Sequence, residues 1–157
     1  MASTVTAATL TVTVSESITL NGQDLSASNE KTIASINEIS KRIISIPHTS
    51  EIEVIKIDTS VGAGQFIEGN VRYIRMTNKD DTNNLFLTFK NEDNDEFVVL
   101  LDHGQSFIYN SNVDGGVVNT FDANAGAASM DNLGDLVNIT ARADTATVDL
   151  EIFVASV

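Results

Sequence analysis

The region from residue 10 to residue 20 alternates between two kinds of side chain with a period of two. Five of its six even positions are aliphatic, and every odd position carries a hydroxyl group. Because successive side chains of a β-strand point to opposite sides, this periodicity predicts a strand with one apolar and one polar face. Asn21-Gly22 follows, a pair that readily takes the positive φ angles of a tight turn. The aliphatic face consists of Leu10, Val12, Val14, Ile18 and Leu20.

A strand of this length is unusual, since strands in globular proteins most often have about 5–6 residues. Residues 10–20 would extend about 36 Å at about 3.3 Å per residue. We therefore expect residues 1–22 to form an extended N-terminal arm and residues 23–157 to form a single β-sandwich domain. Because such an arm can add a strand to the sheet edge of a neighbouring subunit, its aliphatic face is a predicted interface.

Residues 33–46 are ambiguous, because isoleucines recur there at spacings of three and four, as on one face of a helix. The segment is also rich in Ile, which favours strands, and in Ser rather than in the stronger helix formers Ala and Leu, and Pro47 prevents a helix from continuing. Two strands, at 31–36 and 41–46, joined by a turn at Asn37-Glu38, are the preferred interpretation, and a short helix is the alternative.

Short runs of β-branched and aromatic residues fill the rest of the chain, and polar turns separate them. Regular short strands with such turns are typical of sandwiches and barrels, and about nine to eleven strands are expected in all. We predict an all-β fold, an antiparallel β-sandwich of jelly-roll-like form. The expected strands after residue 50 cover residues 52–58, 71–77, 85–90, 96–101, 105–109, 136–141 and 148–155.

The run from Phe97 to Leu101 is apolar at both even and odd positions. A strand of this kind is expected to be covered on both faces, by two sheets or by a partner subunit. We therefore predict that it is a central strand. Phe97, Val99 and Leu101 complete the predicted interface.

The chain carries 22 acidic and nine basic side chains, so its formal net charge is −13. Nucleic acid would be repelled, since the densest cations are only Lys41-Arg42 and the pair Arg72 and Arg75. Arg72, Arg75 and Lys90 fall on predicted strands, where each meets water or pairs with a carboxylate of this chain or of a neighbour.

The chain contains no cysteine, which excludes disulfides and thiolate metal sites. Its first residues lack the basic start and apolar run of a secretory signal, and no apolar segment is long enough to span a bilayer. We expect a protein that is kept in a cytoplasm and does not bind membranes.

Two features invite a chemical interpretation. Asp102-His103 could orient a general base, but no nucleophile motif accompanies it, and an exposed turn is preferred. Acidic clusters at 80–81 and 92–96 could bind calcium, yet neither has the spacing of an EF-hand loop, and hairpin tips are preferred. The sequence therefore predicts no catalytic, cofactor or metal site, and a protein that is not an enzyme.

Four segments carry a recognisable combination of strand patterns: LTVTVSESITLNG at 10–22, SINEISKRI at 35–43, VRYIRMTNKD at 71–80 and VDLEIFVAS at 148–156. In them the chain resembles a family of small virion-associated proteins of marine tailed phages, especially phages of cyanobacteria. The resemblance extends over nearly the whole chain. It rests on strand patterns and not on catalytic signatures, so it implies no active-site residue.

The resemblance implies a non-enzymatic structural protein of the virion, assembled in the host cytoplasm. A capsid decoration or cement protein is the leading expectation, with the major capsid protein or other virion proteins as partners and a homo-oligomer, a trimer, as its state. A tail, neck or fibre-base component is the alternative. A host-surface module that binds glycans is an alternative of another class, and it would use the loops at 78–83, 91–96 and 122–132.

Overall fold

The computed structural model describes residues 4–117 and 133–157 of the protein. These residues form thirteen β-strands and one turn of 3-10 helix at Asn112–Asp114, and no α-helix. The predicted all-β fold is therefore confirmed. The strands are β1 Ala8–Glu16, β2 Thr19–Leu20, β3 Gln23–Asp24, β4 Ala27–Ile36, β5 Glu38–Ile46, β6 Ile52–Asp58, β7 Phe66–Ile67, β8 Val71–Asn78, β9 Leu85–Asn91, β10 Glu96–Leu101, β11 Ser106–Asn110, β12 Leu136–Ala143 and β13 Val148–Ser156.

Two sheets face each other across one apolar core. The strand order is β10-β9-β12-β6-β7 in one and β11-β8-β13-β5 in the other, and only the short β6–β7 contact is parallel. Leaving out the two-residue β7, the eight strands from β5 to β13 pair from the outside of the sequence inward. The pairs are β5 with β13, β6 with β12, β8 with β11 and β9 with β10. This folding of one half of the chain back along the other makes a jelly roll. The predicted jelly-roll-like antiparallel sandwich is confirmed.

An aromatic group fills one side of the core. The ring of Phe89, on β9, lies with its centroid 4.6 Å from Phe97 on β10, 5.3 Å from Phe107 and 5.5 Å from Tyr109, both on β11. The hydroxyl of the buried Tyr109 donates a hydrogen bond of 2.8 Å to the carbonyl oxygen of Leu133. Because these rings bridge the two sheets, the edge strands β10 and β11 lie on the same lateral side of the sandwich.

A long hairpin lies outside the sandwich. β1 pairs antiparallel with β4, and β2 and β3 form a small turn between them, where Asn21 and Gly22 have φ angles of 51° and 80°. The predicted tight turn is confirmed. The expected single-strand arm of residues 1–22 is therefore one half of a hairpin that continues to residue 36.

The base of the hairpin forms a third layer on the outer face of the four-stranded sheet. Four aliphatic residues of β1 and β4 pack there against three residues of β8 and β13, and we call this part of the hairpin the stalk. The stalk anchors the hairpin to the sandwich. Its members are Leu10, Val12, Ile33 and Ile36, and the sheet residues beneath them are Tyr73, Phe153 and Ala155.

A bulge in β4 accounts for the ambiguous isoleucine spacing. Leu10 is opposite Ile33 and Ala8 is opposite Ile36, so three steps along β4 match two along β1. Ser35, within the bulge, has a φ of 64°, and both Ile33 and Ile36 are buried. Because of the extra residue, the side chains of Ile33 and Ile36 lie on the same face although they are three positions apart, and this spacing resembles that of a helix. The two predicted strands are confirmed and the helix alternative is wrong, but the expected turn at Asn37-Glu38 is wrong as well, because only Asn37 separates β4 from β5 and Glu38 already begins β5.

Substitutions of Ser35 should report on this backbone conformation. Glycine adopts a positive φ without the cost that an L side chain carries, so Ser35→Gly should raise the free energy of unfolding by up to about 1 kcal/mol. The β-branched side chain of Ser35→Val should lower it by about 1–2 kcal/mol. Urea unfolding followed by circular dichroism measures both, and equal stability of the three proteins would contradict the bulge.

The prediction that the strand from Phe97 to Leu101 is central is wrong. β10 is an edge strand, paired only with β9 among the described residues. Leu101 is buried and Phe97 and Val99 pack on the core, whereas Val98 and Leu100 on the other face are 58% and 52% exposed. Among the described residues, the sandwich core therefore covers one face of β10.

Candidate functional site

The side chains that could take part in acid–base chemistry or bind a metal ion lie in turns. Nδ1 of His103 is 2.8 Å from Oδ1 of Asp102, and both side chains are more than half exposed in the turn between β10 and β11. Oδ1 of Asp80 accepts hydrogen bonds of 2.8 and 2.7 Å from the backbone N–H groups of Thr82 and Asn83, which lower the pKa of Asp80. This carboxylate therefore closes its own turn.

Acidic residues are frequent around one open groove of about 390 Å³ beside β6 and β12. Glu53, Asp58, Glu68, Glu92 and Asp135 lie along it. Within residues 4–117 and 133–157, no group of three or more His, Asp or Glu side chains has an arrangement that could hold a metal ion.

Two of the three loops that a glycan-binding module would use lie far apart. The loop at 78–83 precedes β9 and the loop at 91–96 follows it, so they lie at opposite ends of a strand of seven residues. These ends are about 20 Å apart at about 3.3 Å per residue. The third loop, 122–132, lies outside the described residues.

The strand cations pair within the chain. Arg75 Nη2 donates a hydrogen bond of 2.6 Å to Glu151, and Lys41 Nζ lies 3.4 Å from the same carboxylate. Nε of Arg72 is 3.9 Å from Asp114, and Nζ of Lys90 is 3.1 Å from Glu96. Each of the three strand cations, Arg72, Arg75 and Lys90, therefore pairs with a carboxylate of its own chain.

The pairing of Glu151 predicts a pH dependence of stability. The hydrogen bond from Arg75, together with Lys41, lowers the pKa of Glu151 from its ordinary value of 4.5. A carboxylate with a lowered pKa in the folded state stabilises the fold above the ordinary value, and this contribution is lost as the pH falls through the folded-state pKa.

We therefore expect Glu151→Gln to lower the free energy of unfolding by about 1 kcal/mol or less at pH 7, and to flatten its decline below pH 4.5. Urea unfolding between neutral and acidic pH measures this. Glu30→Gln, at an exposed carboxylate of the hairpin, is the control, and an equal flattening in this variant would contradict the assignment.

In the part of the chain that the structure describes, the end of the hairpin does not pack against the sandwich. Every residue from 13 to 32 is exposed, and we call this segment the hairpin tip. Its four large aliphatic side chains, Val14, Ile18, Leu20 and Leu25, are 47%, 51%, 55% and 55% exposed. The tip extends on the order of 25 Å from Thr13 to Leu20.

The apolar stripe of the stalk continues onto the tip. Directly opposite residues of an antiparallel pair share a face, so Leu10 with Ile33, Val12 with Lys31 and Val14 with Asn29 lie on one side. The other side carries hydroxyl groups and Glu30. A two-stranded hairpin is at best marginally stable alone in water, so exposed aliphatic side chains on it suit burial against a partner.

The structure divides the predicted interface residues into three groups. Val14, Ile18 and Leu20 lie exposed in the tip, and Leu10 and Val12 lie half-buried in the stalk. Phe97, Val99 and Leu101 face the core of the sandwich.

Leu25, Val98 and Leu100 are among the exposed aliphatic residues that were not anticipated. Leu25 stands in a polar stretch with no period that marks it. Val98 and Leu100 belong to the predicted strand but have the opposite parity. Knowing which face of β10 meets the core would have identified them.

No helix of the described residues is both long and apolar enough to cross a membrane. Comparisons with protein-family models, with curated proteins and with solved structures find no match to this chain.

Proposed function

We propose that this chain is a non-enzymatic structural protein of a tailed-phage particle, a decoration or cement protein of the capsid whose hairpin tip binds a neighbouring subunit. The observation that supports the proposal is the exposed aliphatic surface of the tip, Val14, Ile18, Leu20 and Leu25, held out from the sandwich by a buried stalk. The resemblance of its strand patterns to those of small virion proteins of marine phages supports the same class of protein.

The jelly roll provides the rigid base from which the tip extends. The stalk packs on Tyr73, Phe153 and Ala155, so force on the tip is transmitted to β8 and β13 in the four-stranded sheet. Jelly rolls occur in viral capsid proteins and also in lectins, so the fold alone is an analogy and does not select a function. The hairpin outside the roll is what favours assembly.

The partner expected for the tip is the major capsid protein or another virion protein. A strand of the partner can add to the two-stranded hairpin through backbone hydrogen bonds, while the aliphatic side chains set the register. Repetition of this contact over a symmetric particle raises the overall binding strength without a strong single contact.

Copy number in purified particles tests the proposal. Particles that carry this chain should contain hundreds of copies, measured by quantitative mass spectrometry against the major capsid protein, and density for the sandwich should lie on the outside of the head. A few dozen copies or fewer would favour a tail, neck or fibre-base component and overturn the decoration role. Absence from purified particles would overturn the structural role altogether.

A further inference from the structure

Asn21 is the only asparagine of the chain that precedes a glycine, and this pair forms the turn at the end of the hairpin tip. The backbone nitrogen of the residue after an asparagine can attack the side-chain carbonyl carbon and close a five-membered succinimide ring. Glycine allows the closest approach because it has no side chain. The reaction also requires that this nitrogen is not held by a hydrogen bond and that the backbone can rotate.

The backbone N–H of Gly22 is not held. The ladder between β2 and β3 pairs residue 20 with residue 23, which leaves Asn21 and Gly22 between the strands. Within residues 4–117 and 133–157, neither the N–H of Gly22 nor the side-chain amide of Asn21 makes a hydrogen bond. A Cβ atom placed on Gly22 would have no heavy atom within 4 Å apart from those of its chain neighbours. Both reacting groups are therefore free.

Several asparagines of the sandwich are protected, because the next N–H group already donates a hydrogen bond. The accepting atoms are backbone oxygens for Lys79, Glu92 and Ser111, and the side-chain oxygen of Asn91 for Asp95. Each donor has to lose this hydrogen bond before its nitrogen can attack. The protected residues are Asn78, Asn91, Asn94 and Asn110.

Asn94 is the closest comparison with Asn21. Both are exposed in hairpin turns, and their φ angles are 66° and 51°. The N–H of Asp95, however, donates a hydrogen bond of 2.8 Å to Oδ1 of Asn91. Asn94 therefore shares the exposure and the backbone conformation of Asn21, but the nitrogen that would attack its side chain is held.

The turn at the end of the tip can open without unfolding the sandwich. β2 and β3 have two residues each, and every residue from 13 to 32 is exposed. A two-stranded pair of this kind is marginally stable in water, and segments with few buried contacts open at a low free energy. The backbone rotation at Asn21 that ring closure needs is therefore accessible in the folded protein.

We infer that Asn21 is a site of spontaneous deamidation, and that the product rearranges the aliphatic surface of the hairpin tip. The nitrogen of Gly22 loses its proton and bonds to Cγ of Asn21, and the side-chain nitrogen leaves as ammonia. Water then opens the ring, at Cγ to give aspartate or at the main-chain carbonyl carbon to give isoaspartate. The overall reaction consumes one water, releases one ammonia and needs no oxidant or reductant. This inference does not depend on the proposed role in a virion.

Isoaspartate at residue 21 lengthens the turn, because the main chain then passes through Cβ and Cγ of this residue. The pairing of Leu20 with Gln23 depends on a turn of two ordinary residues. Leu20 and Leu25 lie on either side of this turn, and both are 55% exposed. A modified chain therefore presents these side chains in a different arrangement, and it carries one more negative charge at the tip.

Peptide mapping by mass spectrometry tests the site after incubation of the full chain in mildly alkaline buffer. The peptide that contains Asn21 should gain one dalton, mainly as isoaspartate, and faster at higher pH because the attacking nitrogen must lose its proton. Asn94 should remain unchanged over the same time. An unmodified Asn21 in the folded chain, under conditions in which the urea-unfolded chain reacts, would overturn the inference.

Asp95→Gly provides the matched control. It creates a second asparagine-glycine pair in an exposed turn, but one whose N–H is held by Asn91. With folding verified by circular dichroism, Asn94 in this variant should react at least tenfold more slowly than Asn21 in the same sample. Equal rates would show that the residue pair alone determines the reaction, and would overturn the selection by hydrogen bonding.

Methyl signals in NMR spectra test the structural consequence. In the incubated native chain, Leu20 and Leu25 should each show a second signal whose share follows the isoaspartate fraction, while Ile33 and Ile36 of the stalk keep one signal. Asn21→Gly should keep one signal throughout, because glycine accepts the φ of 51° and cannot deamidate. Unchanged signals of Leu20 and Leu25 in a fully modified chain would overturn the rearrangement.

Discussion

Replacement of Phe89 by alanine should lower the free energy of unfolding by about 3–5 kcal/mol, which is a large part of the about 5–15 kcal/mol of a typical domain. Phe89 is fully buried, and its ring contacts those of Phe97, Phe107 and Tyr109 at centroid distances of 4.6, 5.3 and 5.5 Å. The substitution leaves a cavity between β9 and β11 and removes three ring contacts at once, so both sheets lose packing.

Urea unfolding of Phe86→Ala provides the matched control. Phe86 is the same residue type on the same strand but lies on the outer face, where it is half-buried and its ring centroid is 5.9 Å from Cζ of Arg142. We expect a loss of about 1 kcal/mol there, because only part of the ring leaves water on folding. Equal losses in the two variants would contradict the assignment of the inner and outer faces of β9.

Strand positions were predictable because they follow from local side-chain pattern. The expected strands at 52–58 and 96–101 have the bounds seen for β6 and β10, and that at 85–90 lacks only the last residue of β9. Each of these strands has an alternating or continuous apolar run with a polar turn before it and after it. Turn residues such as Asn21-Gly22 act within four residues, so their effect is visible in the sequence alone.

Features that depend on distant residues were not predictable. Whether β10 is central or at an edge depends on where β12 inserts, and β12 lies 35 residues further along the chain, from 101 to 136. Likewise, nothing near residues 10–20 indicates that their partner is 27–36. The bulge at Ser35 had a local trace, the isoleucine spacing of three, but the same spacing also describes a helix.

The candidate site was predictable in part for the same reason. The alternation that identifies a strand also identifies its apolar face, so Val14, Ile18 and Leu20 were found from the sequence. On this face Leu10 and Val12 are half-buried, whereas Val14 is exposed. The difference arises because Tyr73 and Phe153 lie beneath Leu10 and Val12. Tertiary structure alone separates the stalk from the tip.

The hairpin tip should lose its partner when its aliphatic side chains are replaced together. We expect the variant with serine at Val14, Ile18, Leu20 and Leu25 to bind particles that lack this protein about a thousandfold more weakly than the native chain. Each side chain is about half exposed, so its further burial contributes about 1 kcal/mol, and about 4 kcal/mol corresponds to roughly a thousandfold in the association constant. Titration of labelled protein onto such particles measures the change.

The same four substitutions should leave the free energy of unfolding of the isolated protein within about 0.5 kcal/mol of the native value, because exposed side chains add little to stability. The control exchanges the hydroxyl face of the same hairpin, with alanine at Thr11, Thr13, Ser15 and Ser28, and should bind particles as the native chain does. Loss of binding in the control but not in the serine variant would show that the partner contacts the polar face. Loss in both, with folding intact, would show that the partner contacts both faces of the hairpin and would contradict binding through the aliphatic face alone.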